Sequence, residues 1–209
     1  MRLTKYTHAC VRLEHSGRAL VIDPGVFSER EAYDGASAVL VTHEHADHVN
    51  IELLPSIVEQ NPGMKIYAGE AVTSKLSALG DAVVTVALGD LFDAAGFAVQ
   101  AVGGQHAEVY EGLPGIANLG YIVDAEVYHP GDAFFVPPGR VPALLLPVSG
   151  PWVNTAGMLD FVRAVAPERA FPVHDAVLSD IGLQLIDGWV ASKGQTNYER
   201  IPVGGSVEI

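Results

Sequence analysis

Over the first forty residues the apolar side chains alternate with polar ones or run in short blocks. That period of two predicts strands at Leu3 to Tyr6, Ala9 to Leu13 and Ala19 to Ile22, with His15-Ser16-Gly17-Arg18 turning between the second and third. Asp23-Pro24-Gly25 ends the third strand in a loop. Val39-Leu40-Val41 predicts a short buried strand stopping at Thr42, and a polar stretch, His43 to His48, follows it. Apolar spacing then widens to that of a helix over Leu53 to Gln60, which Asn61-Pro62-Gly63 stops. The order repeats with a strand at Lys65 to Ala68, a helix at Ala71 to Leu79, and strands at Val83 to Val86 and Ala98 to Val102. Strands at Leu119 to Val123, Val127 to His129 and Ala143 to Val148 come next. A helix over Thr155 to Val165, capped by Thr155 or Asn154, a strand over Ala170 to Val173, a helix over Ile181 to Ala191 and a short strand near Ile201 to Val203 complete the pattern. Two similar passes of strands and helices predict an α/β fold: two mixed β-sheets face to face with helices outside, in one domain over residues 1–209.

Composition narrows the classes of partner. Apolar residues make up 49% of the 209, enough to bury a core and to exclude disorder as the main description. Twelve Lys and Arg stand against 25 Asp and Glu, a formal net charge of −13. That balance argues against a nucleic-acid backbone or an anionic membrane as partner, because both are bound through Lys and Arg. Cys10 stands alone, so no intrachain disulfide forms, and a reducing compartment is expected. Met1 to His15 is charged and has no apolar signal core. The uncharged stretch Val141 to Leu159 is broken by Pro142, Pro147 and Pro151, which rules it out as a membrane span. A cytoplasmic protein with a small-molecule substrate is the expectation.

The chemistry concentrates in Thr42-His43-Glu44-His45-Ala46-Asp47-His48, directly after a buried strand. Imidazole and carboxylate suit borderline divalent ions such as zinc. In an extended loop residues i and i+2 point the same way, so His43 and His45 are placed to grip one ion, and Asp47 and His48, past a bend, a second. A chain of this composition shows the spacing by chance roughly 6 times in 10,000. His106, Asp132 and His174 are further ligand types, each at the end of an expected strand.

This ordered set resembles the metallo-β-lactamase-fold hydrolases. Neighbouring residues are similar to the branch that contains ascorbate-6-phosphate lactonase and small metal-dependent hydrolases. The matches are Thr7-His8-Ala9, Ile22-Asp23-Pro24, Tyr128-His129-Pro130-Gly131-Asp132, Pro147-Val148-Ser149-Gly150 and Pro172-Val173-His174. The resemblance implies an αβ/βα four-layer sandwich with the site at one edge. It implies that His43, His45 and His106 hold a first metal, Asp47, His48 and His174 a second, and that Asp132 bridges them. Two divalent ions are expected, zinc foremost, with manganese or iron as alternatives. Thr7 and Ala133 depart from the family pattern, where Gly and Thr or Ser are usual.

The implied activity is hydrolysis of an ester or lactone by a metal-activated hydroxide, with Asp47 orienting it and taking its proton and His8 as a second catalytic candidate. Asp23, His8 and His129 fall at positions suited to holding ligands or substrate. Trp152 is a candidate pocket wall, and Arg30 and Arg140 are candidate anchors for an anionic substrate. Competing readings are a phosphodiesterase of the same fold, a mono-iron dioxygenase and a binding module without catalysis.

Overall fold

The structure, a computed structural model, describes residues 1–113 and 115–209. In these described residues fourteen strands run in chain order: β1 (Arg2–Lys5), β2 (Val11–His15), β3 (Arg18–Ile22), β4 (Ala38–Val41), β5 (Lys65–Ala68), β6 (Val83–Thr85), β7 (Leu91–Ala94), β8 (Phe97–Gln105), β9 (Ala117–Val123), β10 (Val127–His129), β11 (Ala143–Pro147), β12 (Arg169–Val173), β13 (Asn197–Tyr198) and β14 (Ser206–Glu208). Among the described residues four α-helices accompany them: α1 (Leu54–Gln60), α2 (Glu70–Lys75), α3 (Thr155–Val165) and α4 (Asp180–Lys193).

The strands form two seven-stranded sheets, ordered β14-β1-β2-β3-β4-β5-β6 and β13-β12-β11-β10-β9-β8-β7. Each is mixed. Antiparallel pairs join β14 through β3 and β7 through β10, while β3 to β6 and β10 to β13 run parallel. Strand β4 shows why the sheets stack between helices. Ala38 and Leu40 point into the core between the sheets, with Leu20, Tyr121 and Leu145; Val39 and Val41 point outward, with Leu54, Ile57 and Val72. A strand covered on both faces is apolar throughout. The second sheet does the same, with Leu144 and Leu146 packed on Met158, Phe161 and Val162 of α3. The result is the expected sandwich of two sheets with helices outside.

Several elements depart from the sequence pattern. No strand forms at Ile201 to Val203: Pro202 has no N–H for a ladder, and Ile201 instead plugs the core between the sheets. The pairing falls to β13 and β14 on either side. Strand β7 is an addition, joined to β8 by a two-residue turn in which Ala95 and Gly96 both take positive φ, 55° and 85°. The helix expected to reach Leu79 stops at Lys75 and gives way to a 3-10 segment broken at Gly80. Asn154, not Thr155, caps α3, accepting the Gly157 N–H at 2.8 Å. Among the described residues no helix is long and apolar enough to cross a membrane.

Candidate metal centre

The chemistry-bearing residues all lie just beyond strand ends at one edge of the sandwich: His8 after β1, Asp23 after β3, His43 to His48 after β4, His106 after β8, Asp132 after β10, His174 after β12. Three of them, His8, Asp23 and His174, hold positive φ, 66°, 51° and 58°. A non-glycine residue there is strained by about 1–3 kcal/mol, a cost typical of functional sites. The His174 N–H donates to the His8 carbonyl at 3.0 Å, which ties the two sheets together at the site. The 43–48 loop turns on bonds from the His48 and Val49 N–H groups to the His45 carbonyl, both 3.0 Å. Gly25 lies against this turn so closely that a Cβ there would sit 2.0 Å from the Asp47 carbonyl oxygen, so only glycine fits.

Hydrogen bonding sets which face of each imidazole looks inward. Asp23 is fully buried and accepts three bonds at 2.7 Å, from the Thr42 N–H, the Thr42 hydroxyl and His48 Nδ1. The Thr42 hydroxyl, having spent its proton on Asp23, accepts from His43 Nδ1 at 2.9 Å. His106 Nδ1 donates to the Ala107 carbonyl at 2.6 Å. Three histidines therefore direct Nδ1 outward and turn Nε2 toward Asp132, the nitrogen that a cation would take once it is free of a proton. His43 Nε2 and His45 Nδ1 face each other at 3.0 Å. Asp132 stands between the groups. Its Oδ1 is 3.1 Å from His48 Nε2, and its Oδ2 lies 3.3 Å from His106 Nε2 and 3.1 Å from His174 Nε2. His48 Nε2, Asp132 Oδ1 and both His174 nitrogens are buried with no hydrogen-bond partner. Buried polar atoms are rarely left so, and orphaned nitrogens aimed at a carboxylate are what a bound cation satisfies.

Two groups of ligand atoms, each within 4.8 Å of one another, gather here: His43, His45, His106 and Asp132, and His8, Asp47, His48 and His174. His8 differs from its companions. Its Nδ1 accepts the Ala176 N–H at 3.2 Å, so its proton sits on Nε2 and is donated to Asp47 Oδ2 at 3.1 Å. His8 thus orients Asp47, and burial keeps its own pKa low, favouring the neutral ring. Burial raises the Asp47 pKa, but His174 Nε2 at 3.4 Å and the hydrogen bond from His8 outweigh it and hold the carboxyl well below the usual range. Burial likewise disfavours charge on His48, yet Asp132 and Asp23 overcome it and raise its pKa to about 10; His174, between Asp132 and Asp47, is raised to about 9. Carboxylates that draw protons onto buried histidines make a site of negative potential, suited to a divalent cation.

The other sequence candidates are placed as follows. Trp152 is buried against the cluster and donates its indole N–H to Asp132 Oδ2 at 3.1 Å. His129 is saturated: its Nε2 donates to the Ala9 carbonyl at 3.0 Å and its Nδ1 accepts the Gly131 N–H at 3.1 Å, so it braces the turn leading to Asp132. Arg30 bonds Gln60 at 3.0 Å and Arg140 pairs with Glu168 at 2.8 Å; both bonds are exposed, and neither residue contacts the cluster. Thr7 donates its N–H and hydroxyl to Glu29, tethering the 24–37 connection beside His8.

Two supports were not visible in the sequence. Asn118 on β9 accepts the Asp132 N–H at 3.0 Å and donates to the Pro130 carbonyl at 2.8 Å, clamping the turn. Lys5, buried, donates to the Tyr6 carbonyl, to the His8 carbonyl at 2.8 Å and to Asp175 Oδ1 at 3.3 Å, and Arg200 holds the other Asp175 oxygen at 2.5 Å. Paired charges far apart in sequence leave no local pattern to read. Two cavities flank the centre, one of about 550 Å³ reaching Asp47 and His174, the other of about 320 Å³ reaching His106.

A two-sheet sandwich with a His/Asp cluster at its edge defines a class, the metal-dependent hydrolases of the metallo-β-lactamase fold. Residues 2–174 match the family described as Beta-lactamase superfamily domain, and the chain belongs to that family. Protein Rv0786c of Mycobacterium tuberculosis is 36% identical over 213 residues, 99% of both chains. A UPF0173 metal-dependent hydrolase of Xanthobacter autotrophicus is 29% identical over 150 residues, 63% of this chain and 62% of its own. Among solved structures, Igni18, a metallo hydrolase from the archaeon Ignicoccus hospitalis, shares the fold with a TM-score of 0.77 at 22% identity, covering 100% of this chain and 98% of that one.

Proposed function

We propose that the protein hydrolyses a small ester or lactone at a centre of two divalent ions, zinc foremost. The observation that carries this is the ring arrangement: His43, His48 and His106 turn their Nε2 atoms toward Asp132, and buried Nε2 and Oδ1 atoms there have no partner. Two four-residue groups sharing one edge support two ions: His43, His45 and His106 would hold one, Asp47, His48 and His174 the other, with Asp132 shared by both. Divalent ions held there would supply Lewis acidity and would lower the pKa of water at the site from 15.7 to about 7.

The chain's own residues do the rest. Asp47 is ionised and half-buried at the mouth of the larger cavity, where its carboxylate orients the attacking water and accepts its proton. His8 steadies Asp47 through its Nε2–H. Asp23 keeps the tautomers of His48 and, through Thr42, of His43. Trp152 fixes Asp132 and covers it. A sugar-phosphate lactone, the substrate that names the resembling branch, needs a cation, and neither cavity is lined by Lys or Arg. That favours a neutral ester or lactone, and it counts against the phosphodiesterase.

The test is metal analysis of purified protein with assays on p-nitrophenyl esters, simple lactones and bis(p-nitrophenyl) phosphate. Two zinc or manganese ions per chain and ester or lactone turnover are expected. Asp47→Ala should lower kcat by about 10²–10⁴-fold. A single iron per chain, or full activity in Asp47→Ala, overturns the reading.

A further inference from the structure

We infer that the group of the substrate nearest the cleaved bond is uncharged and apolar, an alkyl chain or ring that fills the cavity beside Asp47 and His174. This rests on the hydrolase reading and adds a substrate class to it. The cavity measures about 550 Å³, within the roughly 300–1,000 Å³ that encloses a small organic molecule. Its walls are Val148, Pro151, Val153, Val177, Leu178 and Ile186. The ionisable groups lining it are Asp47 and His174, both of the metal centre. Ser149 has spent its hydroxyl proton on the His174 carbonyl. The helix start that reaches the cavity, at Thr155, has its Gly157 N–H taken by Asn154 at 2.8 Å.

A carboxylate or phosphate entering here beyond the metal centre loses its water, finds no Lys or Arg on the walls and meets the Asp47 carboxylate. The net charge of −13 repels it from a distance as well. An alkyl chain is favoured by the same walls. The step balances: water adds its oxygen to the acyl carbon, the acyl carbon–oxygen bond breaks, and the leaving oxygen departs with a proton as the alcohol.

The experiment compares p-nitrophenyl acetate, butyrate and hexanoate with p-nitrophenyl adipate, whose chain ends in a carboxylate, on the metal-loaded protein. kcat/KM should rise about fourfold per methylene up to hexanoate. It should fall by about tenfold or more when the chain ends in a carboxylate. Val177→Lys, at the exposed rim where the fold tolerates it, should narrow the gap between hexanoate and adipate. A flat series, or adipate equal to hexanoate, overturns the inference. If neither these esters nor simple lactones are turned over, the hydrolase reading fails separately, and binding decides the cavity. N-phenyl-1-naphthylamine, a neutral fluorescent probe, should then bind metal-free protein and be displaced by methyl hexanoate but not by monomethyl adipate. No probe binding, or equal displacement, overturns it.

Discussion

Asp23 shows how much a single residue decides without touching the reaction. It is buried, it accepts three hydrogen bonds, and through them it sets two imidazole tautomers. An amide at this position offers one acceptor and two donors, so at least one donor from Thr42 or His48 would face another donor. Asp23→Asn is expected to weaken zinc binding by about 10–100-fold, measured by competition with a fluorescent chelator, with far-UV circular dichroism checking the fold. Thr42→Val removes the relay to His43 while leaving the Asp23–His48 bond, so its loss should be smaller. Unchanged zinc affinity in both variants would refute the tautomer argument. The candidate ligands were legible in the sequence because His43, His45, Asp47 and His48 crowd into six residues after a buried strand. The orientation of each ring was not. That His8 serves Asp47 follows from an N–H at Ala176, 168 residues away, which no local spacing reveals.

At the scale of elements, the site is held by what joins the two sheets. Lys5 at the end of β1 ties the His8 carbonyl to Asp175, which follows His174 after β12, and Arg200 before β14 holds Asp175 from the other side. Lys5→Met keeps the stem and removes the charge, leaving a buried donor-poor gap at Asp175. Unfolding in urea should show a loss of about 1–3 kcal/mol, with weaker zinc binding at His174. A change under about 0.5 kcal/mol would show the network to be incidental. The strands leading to the site were readable because both faces are buried and apolar, as in β4, β11 and β12. What escaped depended on tertiary pairing. Strand β7 is exposed along half its length and turns on Ala95-Gly96, a pair without the usual Asn or Asp signal. The final strands were misplaced onto Ile201 to Val203, whose apolar side chains fit a strand while Pro202 does not.

The whole molecule carries an excess of acid and still concentrates further carboxylates at one edge, where they raise the pKa of buried histidines. Stability should therefore depend on pH in opposite ways with and without metal. In metal-free protein His48 and His174 hold protons with pKa values raised to about 10 and about 9. That contribution is present in full below the unfolded pKa of about 6.5 and is lost as pH rises through 9 and 10. Burial lowers the pKa of His8, His43 and His129, so folding also loses ground as pH drops below about 6.5, where the unfolded chain protonates them first. Asp47 and Asp132, with depressed values, keep their contribution above about 4 and lose it only in stronger acid. Metal-free protein should thus be most stable near pH 6.5 and weaken toward pH 9. Zinc bound at these histidines would compete with the same protons, so its affinity is expected to rise over that interval, and saturation at 100 times Kd to add about 2.7 kcal/mol. Thermal melts in chelator and in zinc should diverge steadily from pH 6.5 to 9, the zinc-loaded Tm holding or rising while the metal-free Tm falls. Parallel curves would mean that the raised histidine pKa values and the cation site are unconnected, since a proton and a metal ion that share one lone pair cannot leave stability independent of each other.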